Sequence, residues 1–311
     1  MGLSMKTMAL LAIAQSAKGT PGTPVPGTNA ILCRGLVPTP IKGNFVDRNL
    51  IRGAKGNYGG IFASEYRQFE FEVELAGAGA AGTVPKYGPL LKGCALSETV
   101  SAGVSVAYQP VATVGSYMTL FAYIEGSLIK LTDALGTVSF TLNAGEIPMM
   151  KYSFIGKYEA MTEPGAPSGL VYTGFTKPVV VGDTNTAVFT LSALNLVVQS
   201  FGLDLANTVA WKDLINDAGA RNYDRKPTAS AVFELGTVTE KNWAESVRTG
   251  EEMALAITHG LTAGNIVQIA CPKLQFSAEP SLSDADSTAM LSGSFAVMPN
   301  AGNDEVVLTI R

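Results

Sequence analysis

The chain has 311 residues, of which 15 % are charged and 47 % hydrophobic, with 33 glycines and 16 prolines. An average soluble domain carries about 25 % charged residues, so a surface this poor in charge points to a subunit partly covered by partners. The net charge of −4 argues against a strongly cationic nucleic-acid binder, and three cysteines with one histidine exclude a multi-histidine metal site.

The charges are unevenly placed. Residues 1–67 hold eight Lys/Arg and two acids, a balance of +6, and the remaining 244 residues carry −10. This fits either ordinary solvation or a basic arm that meets an acidic body on a neighbouring copy.

At the N-terminus, residues 5–17 (Met5 to Ala17) combine one lysine, a short apolar run and small residues. We expect a short amphipathic helix there; a secretory signal is the alternative. Pro and Gly alternate through Gly19–Gly27, which reads as an extended linker. Ile31 to Val37 is an expected strand. The polar, basic, glycine-rich stretch from Phe45 to Tyr66 reads as a long loop or protruding hairpin, and it carries Arg48, Arg52 and Lys55.

Phe69-Glu70-Phe71-Glu72-Val73-Glu74-Leu75 alternates without a break, as an antiparallel strand with one wet face would. A Gly/Ala loop follows, then a short helix over Pro89–Leu96, with Pro89 suited to the first turn. Strands are expected over Val104–Tyr108, Tyr117–Glu125, Leu128–Thr132, Thr137–Leu142 and Lys151–Tyr158. Val171 to Asp183 bridges to the second half.

There the grammar repeats. Val188–Leu205 holds β-rich runs, and Trp211–Ala218 reads as a short helix ended by Gly219. Further strands are expected over Ser230–Leu235, Met253–Thr258, Ile266–Ile269, Leu274–Ala278, Leu291–Val297 and Val306–Ile310. Gly126–Leu131 lines up with Gly264–Ile269, Thr137–Phe140 with Lys273–Phe276, and Phe154–Tyr158 with Leu291–Phe295. We expect a tandem duplication, with the helix near Leu90 matched by one near Leu214. No stretch beyond the N-terminus reaches the roughly 18 apolar residues of a membrane span.

Catalytic signals are weak. Cys33, Cys94 and Cys271 lie at no metal-ligand spacing and read as free, mostly buried thiols. His259, at a strand end, reads as structural. Gly77-Ala78-Gly79-Ala80-Ala81-Gly82 spells a dinucleotide fingerprint, but it follows a strand with one glutamate-bearing face, and Pro85, Gly88 and Pro89 stand where its helix should open. Glu70/Glu72/Glu74 and Glu251/Glu252 suit solvated faces better than an acid/base pair. We expect no enzyme activity, cofactor or metal. A carbohydrate-binding or enzymatic β-sandwich is the alternative class, and a saturable ligand or a pocket with perturbed carboxylates would support it.

The run Phe69–Gly79, then Tyr87-Gly88-Pro89-Leu90-Leu91-Lys92-Gly93-Cys94-Ala95-Leu96-Ser97-Glu98-Thr99, resembles tail tube (major tail) proteins of long, non-contractile tailed phages. Val104, Ala107, Tyr108 and Pro110, Gly126, Leu135-Gly136-Thr137-Val138 and Ala144-Gly145-Glu146 with Pro148 resemble them too, as do Gly19-Thr20 and Asn29-Ala30-Ile31. The resemblance covers about residues 5–165 and is architectural beyond. It implies a mainly β subunit with short helices, a tail-tube β-sandwich or barrel, in rings around a channel for DNA. With a duplication, three chains would mimic a hexamer; the alternatives are a hexameric ring with an external C-terminal domain, or a secreted, pilus-like surface protein.

The expected organisation is an N-terminal helix and arm (1–30), a first β domain (31–165), a linker (166–187) and a second β domain (188–311). Glu70, Glu72 and Glu74 are candidate channel-lining residues, and Arg48, Arg52 and Lys55 candidate ring-stacking residues. Implied partners are other copies of the chain and the tail terminator, tail tip and tape measure proteins. Double-stranded DNA would pass without specific binding, and no membrane is involved. The implied location is the virion tail, after assembly in the host cytoplasm.

Overall fold

The structure, a computed structural model, describes residues 3–311; residues 1–2 of the expected arm lie outside them. Half of the chain is strand and 6 % is helix, and the sheets do not close into a barrel. The first half contains β1 (Met8–Ala14), the single turn α1 (Pro26–Asn29), β2 (Ala30–Ile31), β3 (Arg34–Pro38), β4 (Lys42–Asp47) and β5 (Gly60–Glu74). It continues with α2 (Gly88–Gly93), β6 (Leu96–Ser101), β7 (Ser105–Pro110), β8 (Met118–Ile124), β9 (Ser127–Asn143) and β10 (Met149–Tyr158).

The expected N-terminal helix is therefore a strand. β1 pairs with β8 along its whole length and with β2 on its other edge. Leu10 and Leu11 are both fully buried, in two separate apolar clusters on opposite faces. A strand buried on both sides reads as an unbroken apolar run, which periodicity cannot tell from a buried helix. The segment after β10 supplies the outer cover: Leu170 and Tyr172 pack on the Leu11 cluster.

The second half contains β11 (Val188–Leu191), β12 (Leu194–Asn195), β13 (Val198–Asp204), β14 (Asn207–Leu214), β15 (Asp217–Arg225) and β16 (Thr228–Glu234). Then come α3 (Trp243–Thr249), β17 (Met253–His259), β18 (Val267–Phe276), β19 (Ser281–Ala285), β20 (Thr288–Met298) and β21 (Val307–Ile310). Trp211–Ala218 is not a helix but the distal end of the β14–β15 hairpin, turning at Ile215-Asn216, where Asn216 takes φ 69°. Its Trp211, Leu214, Ile215 and Ala218 spacing mimics a helix face, yet Leu214 and Ile215 are exposed.

The helix of the second half is α3. Its Asn242 cap accepts from the Glu245 amide at 3.2 Å, and Gly250 closes it in the left-handed region.

Strand pairing in the second half follows the order of the first. In the first, β1 pairs with β2 and β8, β8 with β9, β9 with β10, β10 with β5, and β5 with β3, while α2 connects β5 towards β8. In the second, β11 pairs with β12 and β17, β17 with β18, β18 with β20, β20 with β16, and β16 with β13, while α3 connects β16 to β17.

The irregularities correspond as well. The register shift at Met118/Leu120 matches that at Met253/Leu255, and the shift at Lys42/Asn44 in the β4–β5 hairpin matches Asn207/Val209 in β14–β15. Bulges are located features of a ladder, so shared bulges fix the correspondence residue by residue. On this register Phe154, opposite Phe69, corresponds to Phe295, opposite Ala229. All three sequence alignments are out of register: Phe154 corresponds to Phe295 and not Leu291, Gly136 rather than Phe140 corresponds to Phe276, and Ser127 corresponds to Val267 rather than Asn265. The β6–β7 hairpin has no counterpart in the second half, and the single strand β9 corresponds to β18 and β19 together.

Two ladders join the halves. β9 exchanges β8 for β13 along its length, pairing Thr141 with Gly202 and Phe140 with Leu203, and β21 pairs with β7. One apolar cluster runs through both halves, from Phe71, Tyr152 and Phe154 to Phe201, Phe233 and Phe295.

Candidate channel face and stacking arm

β5 alternates as its sequence predicts: Phe69, Phe71 and Val73 are buried, and Glu70, Glu72 and Glu74 lie on the opposite, half-exposed face. Cross-strand partners share a face, so this wet surface can be followed across the sheet. Glu72 lies beside Arg34 on β3 and Lys151 on β10; Lys151 lies beside Ser139, Ser139 beside Asp204, and Asp204 beside Thr228. A parallel row runs Glu74, Met149, Thr141, Gly202, Ser230 and Ser294.

The face thus spans β3, β5, β10, β9, β13, β16 and β20, built mostly of serine, threonine and carboxylate. Glu70, Glu72, Glu74, Asp204 and Glu234 supply its acids, against Arg34, Lys42, Lys151 and Lys157. Glu72 is paired with Arg34 at 2.7 Å, and Glu70 accepts from Gln68 at 2.8 Å.

The residues expected in the stacking segment lie on the exposed loop between β4 and β5. The Arg52 guanidinium sits 4.3 Å from the centre of the Tyr58 ring, and Phe45 packs edge-on against Phe62 at 5.0 Å. Leu50 and Ile51 beside the arginines are exposed, as are Phe45, Val46 and Ile61. The structure therefore places the three glutamates on the broad wet face and the three cations together on a separate protruding hairpin.

The Gly/Ala fingerprint has a packing role. A Cβ on Gly77 would lie 2.0 Å from the Gly264 carbonyl oxygen. The Gly79 amide donates to that oxygen at 2.9 Å, and the Gly77 amide donates to Asn265 Oδ1 at 2.8 Å. Only glycine permits this backbone approach between the halves.

His259 ends β17, buried, with Nδ1 3.0 Å from Thr186 Oγ1 and Nε2 3.1 Å from the Val179 carbonyl oxygen. Burial lowers its pKa below the ordinary 6.5, and neither ring nitrogen meets a carboxylate. The cysteines are free, and burial pushes the Cys33 and Cys271 thiols up to about 12 and Cys94 well above its usual value.

A cleft of about 610 Å³ lies between the β14–β15 hairpin and the first half. Within it Lys18 pairs with Asp217 at 2.6 Å, and Asp133 accepts from the Gly19 amide at 2.6 Å. Among the described residues there is no cluster of metal-ligating side chains, and no helix is long and apolar enough to cross a membrane.

Sequence reasoning missed the second-half part of the wet face. Asp204, Ser230 and Glu234 sit in strands the sequence signals, but only the ladder through β9 and β13 shows that they extend the Glu72 surface. α3 was also missed, although Asn242, Glu245 and Gly250 stand at cap spacing.

The chain is β-rich, with a broad polar sheet face and a separate exposed hairpin. A family model described as phage tail tube protein matches residues 6–307, and the chain belongs to that family. It is a structural component of the virion tail, in a family whose members build the tube from copies of themselves. No curated protein matches the chain.

Proposed function

We propose that this chain assembles into stacked rings that form the tail tube, with three chains per ring presenting six similar β units around a channel for DNA. The observation that carries this reading is the shared strand order and bulge positions of the two halves, which supports a tandem duplication with units near 31–165 and 188–311. The β9–β13 and β7–β21 ladders support a second half lying in the tube wall rather than decorating it.

The wet face of Glu70, Glu72, Glu74, Asp204 and Glu234 lines the channel in this reading. A net acidic wall repels phosphates and avoids the counterion-release binding that would hold DNA in place. The hairpin of Arg48, Arg52 and Lys55 reaches the next ring, where its cations and bare Leu50 and Ile51 meet a complementary surface. The chain performs no catalysis, and it meets the tail tip, tape measure and terminator proteins at the ends and core of the tube.

The test is assembly with the tail-tip initiator present, followed by electron microscopy. Tubes are expected; a chain that stays monomeric at high concentration and physiological salt contradicts the reading. Converting Glu70, Glu72 and Glu74 together to Lys should leave tubes intact and slow DNA ejection, most strongly at low salt. Ejection at the normal rate would remove the glutamates from the channel wall.

A further inference from the structure

The correspondence of the two halves identifies two strand edges that are bare among the described residues of a single chain. β13 has both edges filled: β16 on one side and the distal part of β9 on the other. Its first-half counterpart, β3, pairs with β5 in the same register, Val37 opposite Glu70 where β13 sets Gly202 opposite Ser230. The other edge of β3 has no strand partner among the described residues.

The counterpart of distal β9 is β19. Phe140 faces Met150 on β10, and Leu282 faces Leu291 on β20; Thr141 faces Met149, and Ser283 faces Met290. Among the described residues β19 pairs with β20 alone.

Side-chain burial tells the same story. Phe140, beneath the β9–β13 junction, is 1 % exposed, whereas Leu282 at the matching position is 66 % exposed although it points to the apolar side of the sheet. Val37 on β3 is 57 % exposed. Leu282 and Val37 are thus apolar residues at bare edges, at positions corresponding to two that face each other's strands within the chain.

We propose that β19 of one copy pairs antiparallel with β3 of a second copy of this chain, repeating between chains the β9–β13 junction made within each chain. Transferring the register of that junction sets Ser281 opposite Thr39, Leu282 opposite Pro38 and Ser283 opposite Val37. The inference rests on the tail tube reading and adds the residues that join neighbours within a ring.

Two further features fit. Arg34, at the start of β3, comes beside Asp284 and Asp286 at the β19–β20 turn, so the edges are complementary in charge. Pro38 lacks an N–H on the outward edge, since the next residue, Thr39, donates inward to the Gln68 carbonyl oxygen at 2.9 Å. The Leu282 amide still donates to the Pro38 carbonyl, while the missing donor disfavours indiscriminate pairing of this edge.

The test introduces V37C and S283C into one chain and oxidises the assembled tubes mildly. These positions form a non-hydrogen-bonded antiparallel pair, with Cα atoms about 4.5 Å apart, inside the range a disulfide spans. Interchain-linked species are expected on a non-reducing gel, and neither single variant should give them. Hydrogen exchange on wild-type tubes is the second measurement. The outward amides of Leu36, Leu282 and Asp284 should exchange at least tenfold more slowly than in the free subunit. Tubes with neither cross-link nor added protection overturn the pairing and leave the tail tube reading standing; a wild-type chain that forms no tubes removes both.

Discussion

The two hairpins at corresponding places in the two halves have opposite fates. β14–β15 turns within two residues and is tied down: Asp217 at its tip takes Lys18 at 2.6 Å and Arg221 at 2.5 Å. Trp211 stacks on Tyr66 at 6.1 Å, and Asn207 at its base donates to the Cys94 and Gly136 carbonyls at 2.7 and 3.1 Å. β4–β5 keeps the same bulge at its base but runs on into the long loop of 48–59, with Leu50, Ile51 and Arg52 in solvent. A shared ladder therefore does not dictate a shared role. The hairpin whose tip is tied to its own chain is a structural strap, and the one whose tip lies in solvent is free to contact another molecule.

The strongest way to break the equivalence of the halves is through their matched aromatics. Phe154 stacks with Phe71 at 6.0 Å, and Phe295 packs against Phe276 at 4.6 Å, both in one core. Phe154→Ala and Phe295→Ala should each cost about 3–5 kcal/mol in denaturant unfolding of the free subunit. A much smaller loss at Phe295 would mean that the second half is packed on a different plan.

Asn207→Ala comes next. It leaves two carbonyls without their donor and should cost about 1–3 kcal/mol. The equivalent base of the other hairpin, Lys42, is half-exposed and donates to Gln68, so Lys42→Ala should shift the unfolding midpoint far less.

A smaller effect separates the halves by pH. His259 is held neutral by burial, with a folded pKa below 6.5, so the unfolded chain binds the proton more readily. Its contribution is complete above about pH 6.5 and is lost as pH falls from there through the folded pKa. His259→Gln should flatten that part of the stability profile, as thermal melts between pH 5 and 8 would show.

The smallest effect on the free subunit should come from reversing Arg48 and Arg52 to Glu. Unfolding should not change, while tube formation weakens, more at low salt than at high. Unchanged assembly would make the arm mere solvated surface.

Much of this fold was legible where one face is wet. The alternation of Phe69–Leu75, the α2 segment and most strands of both halves follow from period and turn residues. The failures share a cause. Residues 5–17 and 211–218 carry apolar spacings that suit a helix, and tertiary pairing, to β8 in one case and β15 in the other, decided for strand. β19 was missed because Ser281-Leu282-Ser283-Asp284 has little apolar content, in keeping with an edge that no second strand covers within the chain. The wet face was visible in the sequence only as three glutamates; its full width depends on pairings between residues 57 to 65 apart.

The most direct test of the account is a cryo-electron microscopy map of the assembled tube. It should show three chains per ring, six similar β units, a smooth wall and continuous sheet from β9 through β13 and on into the next chain. Six chains per ring, with residues 188–311 forming knobs outside the wall, would contradict it.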